Sequence, residues 1–554
     1  MKSRKLLALF LAIFMLASLV VPASAEITPD AETTANTVVG YNAALVKKED
    51  LSQIPEMKKF GTDGYTDATI FKIVDIDDWD AFDAAISTTA NESRGLVGYK
   101  IYLANDLDFK GAVRDPLGKY TGTWTTDSFA GVFDGQGHII KNLTIRPTSL
   151  YEVALARLGL FSKIMPQKGT FAEIKNLIID KTVTFDVEKY LDGTEVDSPT
   201  RINIGALVGT VDSGYGDTAK TKDDVGTLKV TNVLNLADVS CDGSTSGGLI
   251  AWASGCILEV ENCTNAGNIV QTTMTNKNPS ANNQGIGGII GALAENRPTK
   301  TDKTYYMSAT VKNCRNSGDI SVGSIISGGY VTVGGIVGGT HNTGGDHSAR
   351  TLTIENCINN GNISYTGGSC SIACDFGAIY GTSDWEVNSI TGCTNYGTIT
   401  TTNATAATVR TDDCESKAGQ LDFTYNMTAQ YYQLSKTAPN GKYSLRLVAL
   451  HNDITAYDSF GYDITIAYND KTVKASLNDL TTVNTSIAAD SGMGATLVSA
   501  TELGGEYVSA VRIDNISTDY GTLTVTITPK MTAKGATEPT LGTPITFTVT
   551  PNYN

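Results

Sequence analysis

The densest run of chemically capable side chains is Asp134-Gly135-Gln136-Gly137-His138, a carboxylate and an imidazole on one glycine-rich turn. Such a pair has the parts for general acid–base work. Glycoside cleavage would further require two carboxylates facing each other across roughly 5 to 9.5 Å. The chain offers them sparsely. Glu261 and Glu355 fall in non-neighbouring copies of a repeat, in a row with Lys141, Lys175, Thr231 and Lys312, while Asp238 and Asp319 share a frame with Asn268, Asn362 and Thr398. Of the histidines, only His341 and His347 lie close together, with Asp346 as a potential third metal ligand; Asp212, Asp217, Asp223 and Asp224 cluster without the spacing of a calcium loop. No catalytic residue, metal or cofactor is expected from these sets. Tyr120, Trp124, Trp252, Tyr305, Tyr306 and Trp385 carry a different chemistry, flat rings able to stack on a sugar, and are the binding candidates.

Export is written at the start of the chain. Lys2, Arg4 and Lys5 precede an apolar run from Leu6 to Val21 and the small-residue stop Ala23-Ser24-Ala25, so residues 1–25 read as a cleaved leader. The mature chain is expected to be secreted or held at the cell surface, with no segment inserted in a membrane. A formal charge of −16 argues against nucleic acid, which needs a basic face. Charged residues make up only 18% while 55 glycines accompany many Thr, Asn and Ser, a composition suited to β-structure with tight turns.

A repeat organises the middle of the chain. Ile140-Lys141-Asn142-Leu143 recurs at Ile174, Val230, Val260, Val311, Ile354 and Ile390, the last four copies extending to C-x-N-x-G-x-I. Between copies lie glycine-rich apolar stretches such as Gly205-Ala206-Leu207-Val208-Gly209 and Gly287-Gly288-Ile289-Ile290-Gly291, read as short strands. Strands this short bury a face only by stacking on their copies, which predicts a right-handed parallel β-helix of about seven coils over residues 96–400. Asn142, Asn176, Asn232, Asn262, Asn313 and Asn356 then recur at one corner, where their amides are expected to form a ladder. Asp134, Gly135 and Gly137 are read as the structural turn that starts the first copy, with both glycines free to take positive φ. Cys263, Cys314, Cys357 and Cys393 alternate with Leu and Val and read as small buried hydrophobes, whereas Cys370 and Cys374 are the best-spaced disulfide among nine cysteines.

Upstream, residues 26–95 form an N-terminal segment and cap. Within it Asp75 to Ile86 reads as a helix with acidic first turn and a Trp79, Phe82, Ile86 stripe that closes the open end of the stack. Residues 401–420 read as a linker, and 421–554 as an immunoglobulin-like antiparallel β-sandwich with strands at Tyr443–Leu450, Tyr462–Tyr468, Thr481–Ile487, Tyr507–Ile513, Leu523–Ile527 and Ile545–Val549.

Leu103-Ala104-Asn105-Asp106-Leu107-Asp108, Pro116-Leu117-Gly118 and Phe129 through His138, followed by I-x-N-L-x-I, resemble the opening of GLUG-motif β-helix proteins, and the resemblance extends over residues 70–400. Leu445-Arg446-Leu447-Val448 and Tyr457 to Ile464 are similar to a C-terminal module of clostridial surface proteins. The resemblance implies an exported, adhesin-like bacterial protein without catalytic residues, binding a glycan, a host component or another component of the envelope. A β-helix polysaccharide lyase or hydrolase is the competing expectation, and a structural spacer the third.

Overall fold

The computed structural model describes residues 39–41, 45–88, 95–118, 128–147, 157–186, 190–191, 194–195, 203–212, 221–241, 245–274, 283–294, 306–325, 330–341, 350–367, 374–381, 388–401, 407–418, 429–437, 442–450, 457–477, 485–486, 494–498, 508–533, 536–542 and 544–549. They are overwhelmingly β, with one α-helix among them, and divide between two compact units built on residues 45–420 and 421–554.

In the first unit the chain visits four sheets in fixed order. Val208–Asp212 (sheet 4) leads to Thr227–Asn235 (sheet 1), Val239–Cys241 (sheet 2), Thr245–Gly247 (sheet 3) and again to sheet 4 at Ile250–Ser254. Each strand pairs in parallel with its counterpart on the next passage: Val230 with Val260, Val239 with Ile269, Ser246 with Ile286 and Ile250 with Ile290. This is the strand arrangement of a parallel β-helix. Met307–Lys312 shows why it holds: Met307, Ala309 and Val311 are buried while Ser308, Thr310 and Lys312 are half-exposed, so one face enters a core shared by every passage.

The six copies from Ile174 to Ile390 stack in one register, Ile174 on Val230 and so on to Ile354 on Ile390. The corner asparagine of each copy from Asn176 to Asn356 takes φ between 50° and 58°, and Gly392 does the same at 64°. Asparagine recurs because it enters this left-handed conformation at lower cost than other residues with a Cβ. The first copy is out of step. Phe133 and Asp134, not Ile140 and Lys141, lie opposite Ile174 and Lys175, and the two-residue excess of Gly135-Gln136-Gly137 is absorbed as a bulge before His138 meets Leu177. Gln136, at φ 52°, does there what Asn176 does one passage on. Asn142 turns a separate corner, opposite the Asp108–Ala112 bulge.

Two further expectations change. The G-G-L-V-G stretches are not single strands: Asn283–Gly287 ends sheet 3, Gly288-Ile289 turns, and Ile290–Ala294 begins sheet 4. A Cβ on Gly288 would sit 2.0 Å from Gly335 O and 2.4 Å from Asn316 Cγ, so the second glycine is there for close approach. Residues 401–420 are not simply a linker either. Ala407–Arg410 pairs with Cys374–Gly377 and Glu415–Ser416 with Thr394-Asn395, continuing sheets 3 and 1. Cys414 there follows Cys393, an eighth copy disguised because its corner residue is Asp413 and its surroundings are polar.

The other end is closed as expected. Helix α1 (Ile76–Thr88) is capped by Asp75, whose Oδ1 accepts the Asp78 N–H at 3.0 Å, a bond that holds the Asp75 carboxyl below the usual carboxylate range. Asp78 is buried and accepts the backbone N–H of Lys58 and of Val74, which ties the helix to the preceding chain. Trp79 and Phe82 enter a ring cluster with Phe109, Phe129, Phe133 and Phe161, centroids 5.2–6.5 Å apart. A strand the sequence reading missed, Ile70–Ile73, pairs with Lys100–Leu103 ahead of the first copy.

The second unit holds two five-stranded antiparallel sheets. Among the described residues, one contains Ala429–Thr437, Lys442–Leu450, Val508–Ile516, Gly494–Val498 and Thr485–Ser486; the rest of the predicted Thr481–Ile487 lies outside the described residues. The other contains Tyr457–Tyr468, Lys471–Leu477, Leu523–Ala533, Thr540–Leu541 and Ile545–Val549. Asn469 and Asp470, both at positive φ, make a two-residue hairpin turn between Tyr468 and Lys471.

The corner conformation is directly testable. Asn313→Gly should leave the urea midpoint within a few tenths of a kcal/mol of wild type, whereas Asn313→Ala should cost about 1–2 kcal/mol. Equal losses in both would show that φ is not what selects asparagine.

Candidate functional site

The Asp134–His138 segment is a well-packed corner. Asp134 Oδ1 accepts the Gln136 N–H at 3.1 Å and the Asn176 side-chain amide at 3.0 Å, while Asn232 donates in turn to Asn176 at 3.0 Å. The expected corner ladder is seen at Asn232–Asn176–Asp134, whereas Asn142 donates to Asp108 at 2.7 Å. Gly137 takes positive φ, but Gly135 does not; a Cβ on Gly135 would lie 2.5 Å from Asn176 O. His138 is buried and its Nδ1 lies 3.0 Å from Asp106 Oδ1, which also accepts the Ile139 N–H. His138 and Asp106 thus form an imidazole–carboxylate pair, while Asp134 is held by Gln136 and Asn176.

The continuous amide ladder is formed by different asparagines. Asn235, Asn265, Asn316, Asn359 and Asn395, the N of C-x-N-x-G and its earlier equivalent, are all buried. Each of the first four donates Nδ2–H to the Oδ1 of the next at 2.8–2.9 Å, and all five donate a second proton to the carbonyl two residues ahead at 2.7–2.9 Å. Alongside runs an exposed ladder in which Asp238, Asn268, Asp319 and Asn362 each accept the next passage's backbone N–H at 2.7–3.0 Å. Spacing alone could have found both, since their frames are as constant as that of the corner asparagine.

Cys263, Cys314, Cys357 and Cys393 stack inside the core as free thiols. Their sulfurs face the carbonyls of Glu261, Lys312, Glu355 and Thr391 at 3.2–3.5 Å. Burial pushes the Cys314 thiol up, and the neighbouring Cys357 and burial raise Cys393. Cys374 is a buried strand residue, and Cys370 lies outside the described residues.

The outer face of sheet 1 carries the row Asp134, Lys175, Thr231, Glu261, Lys312, Glu355, with Asp134 in the place expected for Lys141. Glu261 and Glu355 flank Lys312, whose ammonium is 2.8 Å from Glu355 and is held above its usual range by it. Lys229–Glu259 at 3.1 Å and Lys175–Glu173 at 2.9 Å pair in the same manner. Ser308, Thr310, Thr351 and Thr353 complete a half-exposed lattice of hydroxyls beside the charges.

Of the aromatic candidates, Tyr120, Trp124, Tyr305 and Trp385 lie outside the described residues. Tyr306 is half-buried at the entry to a sheet 1 strand. Trp252 retains 9% exposure and packs against Ala292 and Ala294, so it offers little surface for a sugar. His347, Asp346 and Asp217 are likewise outside the described residues, while Asp224 pairs with Lys168 at 2.9 Å and Asp212 with Lys163 at 3.5 Å. Among the described residues no three potential metal ligands converge, and no helix is long and apolar enough to cross a membrane. No family model, no curated protein and no solved structure matches the chain.

Two outcomes follow. Asn316→Ala should cost about 3 kcal/mol or more in urea unfolding, because it strips partners from Asn265 and Asn359 inside the core. Cys263, Cys314, Cys357 and Cys393 should resist alkylation in the native protein and react fully in denaturant, as mass spectrometry of the labelled peptides would report; native labelling would refute their burial.

Proposed function

We propose that the chain is an exported, non-catalytic binding protein: a GLUG-like β-helix of about seven coils with a C-terminal β-sandwich, recognising a glycan or a protein at the cell surface. The observation that carries the reading is the outer face of sheet 1. Backbone pairing sets its side chains in rows about 4.8 Å apart, so its charges and hydroxyls form a fixed lattice of the kind an extended polymer can follow. Its Glu173, Glu259 and Glu355 are paired with Lys175, Lys229 and Lys312, an arrangement suited to recognition and ill suited to a carboxyl that must give up or take a proton. Loops of variable length on a rigid stack add to the same reading. The leader-like residues 1–25 and the order of motifs from Leu103 to Ile145 support export and the family likeness. Within one sheet of the second unit, Tyr462, Ile464 and Ile466 are buried beside Leu523, Val525 and Ile527 of the paired strand, and this alternating burial supports the sandwich.

One group favours the competing enzyme reading. Asp413 is a carboxyl raised by burial, as a general acid would be, although its Oδ2 already accepts the Tyr380 N–H at 3.1 Å. A glycan array paired with a reducing-sugar release assay separates the two. Saturable binding without release is expected; release of reducing ends would overturn the binding-only reading, and silence in both would leave a spacer.

A further inference from the structure

The segment before the cap runs back over the outside of the stack. Gly40 N–H donates to Asn313 O at 2.7 Å, Tyr41 N–H to Thr264 Oγ1 at 2.8 Å, and Arg315 Nε–H to Val39 O at 3.1 Å. Residues 45–50 then reach the Asp134–His138 corner. There Val46 is buried within 3.4 Å of where a Gly137 Cβ would stand, and the Glu49 N–H donates to Gln136 Oε1 at 2.8 Å. Gln136 Nε2 is buried beside it with no partner, so this side chain grips the segment through a single bond.

We propose that residues 45–50 are a proton-gated latch, docked on the corner while His138 is neutral and released when acid places a second positive charge beside Lys48. The surroundings of the imidazole support this. On the loop before Leu107, Asp106 holds Nδ1 at 3.0 Å; on the segment itself, Lys48 contributes a positive charge; on the adjacent sheet 1 strand, the register partner is the apolar Leu177. Farther along the same corner, Lys100 interacts with Asp134 and with Glu49 of the latch. Asp106 already accepts the Ile139 N–H as well, so it is a shared counter-charge for a new cation.

Burial depresses the His138 imidazole below its ordinary range; Asp106 opposes this and Lys48 adds to it. A group depressed in the docked state binds fewer protons there than when released. Docking is therefore fully supported above the ordinary imidazole value of about 6.5 and is lost as pH falls through the docked value.

Hydrogen exchange of the full mature chain, corrected for the intrinsic pH dependence of exchange, tests the latch. Between about pH 7.5 and about pH 5, protection of the 46–50 amides should drop about tenfold or more while the sheet 1 amides at 228–233 keep theirs. His138→Gln should stay protected at both pH values. Lys48→Met, which removes the repulsion together with the attraction of Lys48 to Asp106, should also remain docked in acid. Unchanged protection in the wild type, a loss that persists in both variants, or a simultaneous loss at 228–233 would overturn the proposal.

Discussion

A buried file of asparagine side chains is the constraint on which the first unit depends. Strands of two to nine residues, with one of 14 at Val132–Ile145, leave a corner every few positions, and each corner turns backbone N–H and C=O groups away from the sheets. Unpaired inside a core, each such group would cost on the order of 1–3 kcal/mol. Asn235, Asn265, Asn316, Asn359 and Asn395 answer this with an amide that donates twice and accepts once, binding its own turn and the next passage together. The Gly288 turn fits because no side chain intervenes between it and Asn316. Two motifs that look independent in the sequence, C-x-N-x-G and G-G-L-V-G, are thus the two sides of one contact.

The same stacking decides what the surface can be. Once register is fixed by the core, outward positions become rows, and a row's chemistry is whatever successive copies place there. Lys312 between Glu261 and Glu355 is such a consequence, as is the exposed file from Asp238 to Thr398. Acid–base chemistry would need a carboxyl left unpaired in a protected place, whereas Glu173, Glu259 and Glu355 on this face pair with lysines. The thiol column follows the same logic inward: copies of a small apolar side chain stack at the strand spacing, a separation at the long end for a disulfide.

Much of the architecture was legible in the residues. The periodic I-x-N-[LC] copies and the Trp79-Phe82-Ile86 stripe announce stacked strands and a helix, because each is governed by local periodicity. The first copy was misaligned for a physical reason: Ile140-Lys141-Asn142-Leu143 satisfies the pattern, but the chain inserts Gly135-Gln136-Gly137 earlier, and Gln136 adopts the corner conformation without being asparagine. The last copy was missed for the opposite reason. Asp413-Cys414 keeps the geometry after losing the apolar pattern, as a terminal passage with one neighbour can. Trp252 was read as a platform because an aromatic in a repeat looks exposed when its packing partners, Ala292 and Ala294, are 40 residues away.

By itself, then, the sequence determined that this protein is a stack of short parallel strands with an apolar seam, since periodicity and left-handed corners are local properties. Which asparagine carries the ladder was left to the tertiary structure, for Asn313 and Asn316 are equally periodic and differ only in which side of the corner they face. The role of Asp134 to His138 was also decided there. Its carboxylate and imidazole are bound by Asn176 and Asp106, and its Gln136 is taken by Glu49, partners separated by 32 to 87 residues that the stack brings together.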